Sequence, residues 1–431
     1  MKTRKKNTKE INAIQIILGS IIFFGSIILL NFNQQRKTYA SSDTKTLWKI
    51  QSIDTMKYSR DLAREKVTDP NFDRIIDTQV KQIKETGANY VSIGTPYDEE
   101  FFPYLKKWVD AARKYDLKIW FRGNFAGWEG WFGYNKITPD EHKIKLESFL
   151  NAHPSIFEDG DIFTSCTECE NGAIGDPRNT RDIDGYRKFL IDESQIIKNF
   201  STKIKINISG NFYPSNGDVA RLIWDKETTK KLGGVVVVDH YVKTPEKLNA
   251  DITEIANNSG GMVVLGEWGA PIPDIHGNLN EKEQSQWIAT ALNLLSHQKN
   301  LLGLNYWTGV GGTTNLWAED GTKKLAQTDL QNYYLSYKAQ VVVVNELNEK
   351  IDNAKLIADH SQSETDRYGN GEISLFAKDK KLIVNAGGYF ENSIDINKEI
   401  SEYKIELVKE NPSLIYQIRK AFKLFIDKFS K

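Results

Sequence analysis

At 431 residues the chain can hold one large domain and a smaller appendage. Its 57 Lys and Arg balance 57 Asp and Glu, a formal net charge of zero, which excludes the basic footprint of a nucleic-acid or polyanion binder. With only two cysteines, Cys166 and Cys169, it is neither a disulfide framework nor a four-ligand zinc protein.

The N-terminal region reads as an export segment. Lys2, Arg4, Lys5, Lys6 and Lys9 lie in a basic stretch, residues 1–10, and an apolar stretch follows over residues 11–31. Basic then apolar is the order that keeps an N-terminus in the cytoplasm and sends the rest across. The stretch is about as long as a membrane span, so it is read as a transmembrane anchor. Thr38-Tyr39-Ala40 also offers a signal-peptide cleavage site, and both readings place the remaining chain outside the cytoplasm. Residues 32–46 form a polar linker.

From residue 47, short β-rich runs alternate with helical patterns. Strands are predicted at 48–53, 89–93, 117–121, 162–166, 204–208, 235–238, 262–265 and 301–306. Helices are predicted between them at 72–86, 101–115, 139–150, 186–198, 218–232, 245–257 and 281–297, with the last inside 327–347. The continuous Val235 to Val238 run is what a buried parallel strand shows. Eight strand–helix alternations predict an α/β fold, a (β/α)₈ barrel over residues 47–348, a size such barrels need. An open doubly wound sheet would carry a Gly-rich phosphate loop after an early strand, and none is present. Residues 349–431 form a C-terminal extension, with a hairpin turned at Asp379-Lys380 and an amphipathic basic helix over 412–429 whose charged face is expected in solvent.

Barrel enzymes place their chemistry at the C-terminal ends of strands. Two predicted strand ends carry a Glu after an apolar run: Glu168, at the end of strand four, and Glu267, at the end of strand seven. Two carboxylates facing one bond can cleave a glycoside with no cofactor and no metal, one as nucleophile and the other as acid and then base. Glu170 competes with Glu168 for the second role. Cys166 and Cys169 are expected to be free, because a bond across a two-residue gap at a strand end would be strained.

On these residues the chain resembles the retaining glycoside hydrolases of the large (β/α)₈ clan, clan A, of the cellulase and mannanase type. Gly266-Glu267-Trp268-Gly269 is similar to the clan's nucleophile motif. The acid/base motif departs from it: Thr167-Glu168-Cys169 stands where the clan has Asn-Glu-Pro, so Thr167 is a shorter substitute for the Asn that holds the sugar's 2-hydroxyl. The resemblance implies Glu267 as nucleophile, Glu168 as acid/base, and Tyr241 bonded to the nucleophile, with its neighbour His240 as the alternative lining residue. It implies Trp307 as the floor of the sugar subsite, beside Asn305 and Trp268. Arg122, with Asn124, substitutes for an Arg the clan has on strand two. Asp54 and Asn211 complete a polar ring of substrate contacts.

The expected function is a retaining hydrolase of a β-linked polysaccharide or oligosaccharide, acting as a monomer on a carbohydrate outside the membrane. A carbohydrate-binding barrel without catalysis and an envelope-polysaccharide transglycosylase are the alternatives.

Overall fold

The computed structural model describes residues 45–170, 174–200, 205–206 and 217–429. The export segment and Asn211 lie outside them. Among the described residues no helix is long and apolar enough to cross a membrane. Two compact units divide the chain: residues 45–337 with 375–378, and residues 338–374 with 379–431.

The first unit is an α/β structure built on one parallel sheet. Its strands are β1 (Ile50–Asp54), β2 (Tyr90–Ile93), β3 (Lys118–Phe121), β4 (Ile162–Phe163), β5 (Lys205–Ile206), β6 (Val235–Asp239), β7 (Met262–Trp268) and β8 (Leu301–Tyr306). Their order across the sheet is β5-β4-β3-β2-β1-β8-β7-β6. Each neighbouring ladder is parallel. The curled sheet is compatible with a (β/α)₈ barrel; among the described residues no ladder joins β5 to β6.

Period-two alternation along the strands separates two apolar layers. Ile50, Tyr90, Trp120, Ile162, Val237 and Val264 pack together on one face with Val235 and Leu302, so seven strands contribute. Stacked layers of such side chains fill barrel interiors. Val236, Val238, Val263 and Leu265 face the other way, into the large core shared with the helices. Those helices begin where the sequence signals them. Thr138 and Glu141 form a capping box on Pro139–Ala152, and Asn280 and Glu283 do so on Glu281–Ser296.

The helix within 327–347 is Leu325–Tyr334, and the chain then turns extended at Tyr337–Asn345. The four valines 341–344 are β-branched and stiff at χ1, so they favour a strand with one buried face over a helix.

The second unit holds two sheets and a helix. Tyr337–Asn345 pairs in parallel with Glu402–Leu407 and also neighbours Asn370–Leu375. A second, antiparallel sheet runs in the order Ser361–Glu364, Lys355–Ala358, Lys381–Asn385, Asn392–Asp395. The predicted hairpin does not form: Asn370–Leu375 and Lys381–Asn385, the strands on either side of Asp379-Lys380, belong to different sheets. Asp379 is buried and bonded to His360 Nδ1 at 2.5 Å, so it is not an exposed turn residue. The helix Leu414–Phe429 departs in part from the expected solvated charged face. Tyr416 Oη and Lys420 Nζ donate to the buried Glu346 at 2.6 and 2.9 Å, while Leu414, Ile415, Ile418 and Phe422 are exposed. A buried carboxylate needs charged partners, and this draws Lys420 toward Glu346, while Arg419 and Lys428 stay exposed.

Candidate active site

The residues after the apolar strand runs converge at one end of the sheet. β3 delivers Arg122, whose side chain is wholly buried over the ring of Trp120, 5.4 Å from its centroid. Arg122 Nη2 lies 2.7 Å from Asp239 Oδ2 and 3.4 Å from Glu267 Oε1, and Nη1 lies 3.8 Å from Asp54 Oδ2. Nη1 also donates to the carbonyl of Gly266. One cation thus ties the ends of β1, β6 and β7 together. Burial opposes its charge, but Asp239, Glu267 and Asp54 outweigh burial and hold the guanidinium protonated.

Glu267 owes its position to a register shift. Val238 pairs with Leu265, but Asp239 pairs with Glu267, so Gly266 is the extra residue. A β-bulge of this kind re-aims the side chain that follows it. A Cβ at position 266 would collide with Asp239 Oδ1 and Val237 Cγ1, so glycine is required there. Tyr241 Oη donates to Glu267 Oε2 at 3.0 Å. Burial, then Asp239, push the Glu267 carboxyl upward, while Arg122 and the Tyr241 hydroxyl pull it down. Asp239 is pushed upward chiefly by burial. Asp239 and Glu267 face one guanidinium in a buried site, where burial and a second negative charge both disfavour ionisation.

Glu168 stands opposite, beyond the end of β4. One carboxylate oxygen from each of Glu168, Asp239 and Glu267 lies within 4.8 Å of the others. The same triplet has the spacing to hold a metal ion, but the Arg122 guanidinium already sits there as counter-cation to two of the three. Burial, then Glu267 and Glu129, push the Glu168 carboxyl up to about 7.

The expected site residues divide into three groups. Glu168, Tyr241 and Trp307 are partly exposed, and the Tyr241 and Trp307 rings meet edge to face at 6.1 Å. Asp54, Asn305, Thr167 and Asn124 are buried behind them. Asp54 accepts from Ser92 Oγ at 2.7 Å and from Asn305 Nδ2 at 3.0 Å; Thr167 Oγ1 donates to the Arg122 carbonyl at 2.9 Å. These contacts make them supports of the cluster. The third group turns away. His240 Nε2 meets Asp251 at 3.0 Å, on the helix Pro245–Ser259, and Trp268 is fully buried against Tyr306. Trp128 packs its loop by stacking on Phe189 at 5.2 Å.

Two acids in the cluster were not anticipated. Asp239 follows the Val235–Val238 run directly, so the rule that found Glu267 finds it once Asp is admitted with Glu. Glu129 carries no local signal; only tertiary folding brings it to Glu168, and burial pushes its carboxyl up to about 7.

The expectation of free cysteines is corrected as well. Cys166 and Cys169 form a disulfide with Cα atoms 5.2 Å apart. The chain leaves β4 at Phe163, so the pair lies in a loop, where two intervening residues can turn sharply enough to bring the sulfurs together.

The hydrogen bond from Tyr241 goes to an ionisable acid in a dry site, where such bonds contribute about 1.5–3 kcal/mol. For any reaction that proceeds through the Glu267 carboxylate, Tyr241→Phe should therefore lower kcat by about 10- to 100-fold with little change in KM. Steady-state kinetics checks this, and an unchanged kcat removes Tyr241 from the machinery.

No family model and no curated protein matches the sequence. Among solved structures, the chain is similar to a β-glucuronidase of Bacteroides uniformis, at 11% identity and a TM-score of 0.49, covering 86% of this chain and 48% of that one. An uncultured Clostridium sp. β-glucuronidase gives 12% identity and 0.46, covering 69% and 53%. An FMN-binding β-glucuronidase from Facaelibacterium prausnitzii L2-6 gives 11% and 0.47, covering 88% and 60%. This chain spans about half the length of these structures.

Proposed function

We propose that the protein is a retaining glycoside hydrolase of the clan A type, acting on a β-linked polysaccharide or oligosaccharide outside the cytoplasm, anchored or exported by its N-terminal segment. One observation carries the reading: carboxylate oxygens of Glu168 and Glu267 stand within 4.8 Å across the end of the sheet. Retaining enzymes hold their two carboxyl groups at about 5–5.5 Å, whereas inverting ones leave room for a water between them.

In this reading the Glu267 carboxylate attacks the anomeric carbon while Glu168 gives its proton to the departing oxygen. Water then adds to the same carbon, Glu168 takes the water's proton, and Glu267 is released. The reading requires Glu267 to be ionised when it attacks, and Arg122 and the Tyr241 hydroxyl, which pull its carboxyl down, are the groups that support that charge. The partly exposed rings of Trp307 and Tyr241 suit the apolar face of a sugar.

Glu168 with a carboxyl near 7 is protonated below that pH and charged above it. Turnover that needs its proton should be lost as pH rises through about 7. Glu168→Gln should cut kcat/KM for a phenyl β-glycoside by about 10²- to 10⁴-fold and spare the 2,4-dinitrophenyl glycoside, whose leaving group needs no proton. A panel of aryl β-glucosides, mannosides and xylosides supplies the probe. Equal losses on both leaving groups would rule Glu168 out as the acid. Product analysis with and without an acceptor sugar separates hydrolysis from transglycosylation, and binding without cleavage by every probe would favour a sugar-binding protein.

A further inference from the structure

We infer that the Cys166–Cys169 disulfide is a positioning device for Glu168: it closes the four-residue loop that carries the acid and keeps its carboxyl aimed at the reacting bond. The inference rests on the reading of Glu168 as acid/base and adds to it a structural cause.

The two carboxylates are held in different ways. Glu267 lies inside a strand with neighbours on both sides, β6 and β8. Glu168 lies five residues past the end of β4, outside every strand ladder among the described residues. It also has φ +47°, in the left-handed region that a residue with a Cβ seldom adopts. A non-glycine residue stays in such a conformation only when its surroundings over-determine it, and such residues cluster at functional sites.

The surroundings here are a ring of covalent bonds. The disulfide spans a sequence separation of three and encloses Thr167 and Glu168. The ring is docked at three points. Asn124 Nδ2 donates to Cys166 Sγ at 3.4 Å, Thr167 Oγ1 to the Arg122 carbonyl at 2.9 Å, and Trp128 Nε1 to the Cys169 carbonyl at 3.0 Å. Asn124 is itself fixed by His142 at 2.9 Å, and His142 by Glu193 at 3.0 Å. Both cysteines are buried. The docking fixes the flanks of Glu168, and the disulfide removes the remaining freedom of the backbone between them. With the S–S bond broken, the loop can relax to negative φ, which turns the Glu168 side chain off the Glu267 axis.

The test compares wild type with Cys166→Ser/Cys169→Ser on the two leaving groups, phenol and 2,4-dinitrophenol, on one β-glycoside. The expected result is a fall of about 10-fold or more in kcat/KM for the phenyl glycoside, a fraction of what a general acid contributes. Less than about two-fold is expected for the dinitrophenyl glycoside, with the loss of activity near pH 7 moved toward lower pH. Because both sulfurs are buried, a second arm treats wild type with dithiothreitol. The S–S bond breaks, each sulfur gains an electron and a proton from the dithiol, and the reagent closes to its own disulfide. The reduced wild type should match the double variant, recover on reoxidation, and leave the variant itself unaffected. A double variant with the wild-type leaving-group ratio and pH profile overturns the inference. So does an equal loss on both substrates, the mark of a merely structural bond. Glu168→Gln run alongside separates the premises. If it keeps full phenyl-glycoside activity, the acid is misassigned. If it is crippled while the cysteine variant is not, only the positioning role falls.

Discussion

Glu267→Gln should lower kcat/KM by at least about 10⁴-fold on aryl β-glycosides with either leaving group, the scale seen when a covalent nucleophile is removed. Gln keeps the shape and the hydrogen bond from Tyr241 but cannot form the glycosyl ester. The fold should not suffer. Glu267 is one of two acids competing for Arg122, and its carboxyl is pushed upward by burial and Asp239, so its ionised form is unfavourable in the folded state. A group raised in this way binds protons more tightly folded than unfolded, and its penalty grows as pH rises through its titration. The variant's unfolding midpoint in urea should therefore equal or exceed that of wild type at pH 8. With Glu267→Gly, added azide should restore glycoside cleavage as a glycosyl azide of inverted configuration. Near-normal rates for Glu267→Gln would remove Glu267 from the chemistry.

Arg122→Met should be the most damaging substitution for stability. Met fills much of the volume but leaves Asp239, Glu267 and Asp54 buried without their shared cation. Removing one partner of a buried ion pair costs about 3–5 kcal/mol. The deficit should be larger at pH 8 than at pH 5, because protonation of the orphaned acids relieves it. Urea unfolding at both pH values checks this. A deficit below about 1 kcal/mol, or one that grows on acidification, would contradict the role given to the cluster.

Much of the frame was legible because it depends on local periodicity. The eight strands were located within a few residues from apolar runs and the turns between them, and the capping boxes at Thr138 and Asn280 mark helix starts by their own chemistry. Legibility failed where a local pattern has two physical outcomes. Val341 to Val344 reads as the end of a helical pattern or as a strand, and strand neighbours more than fifty residues away decide it. Asp379-Lys380 has turn composition, yet Asp379 is buried against His360. The helix Leu414–Phe429 shows its two faces in sequence, but the partner that selects the inward one, Glu346, lies outside it.

The candidate site divides along the same line. The sequence alone determined which residues sit at strand ends and that Glu168 and Glu267 are carboxylates there, since chain position and side-chain chemistry are local properties. Only the tertiary structure decided what those residues face. It turned Tyr241 toward Glu267 and His240 toward Asp251, although the two are adjacent in the chain. It drew Asp239 and Glu129 into the cluster, and it closed the Cys166–Cys169 ring around the acid. Each of these outcomes depends on distances between segments far apart in sequence, and burial, charge coupling and ring closure arise only once those distances are set.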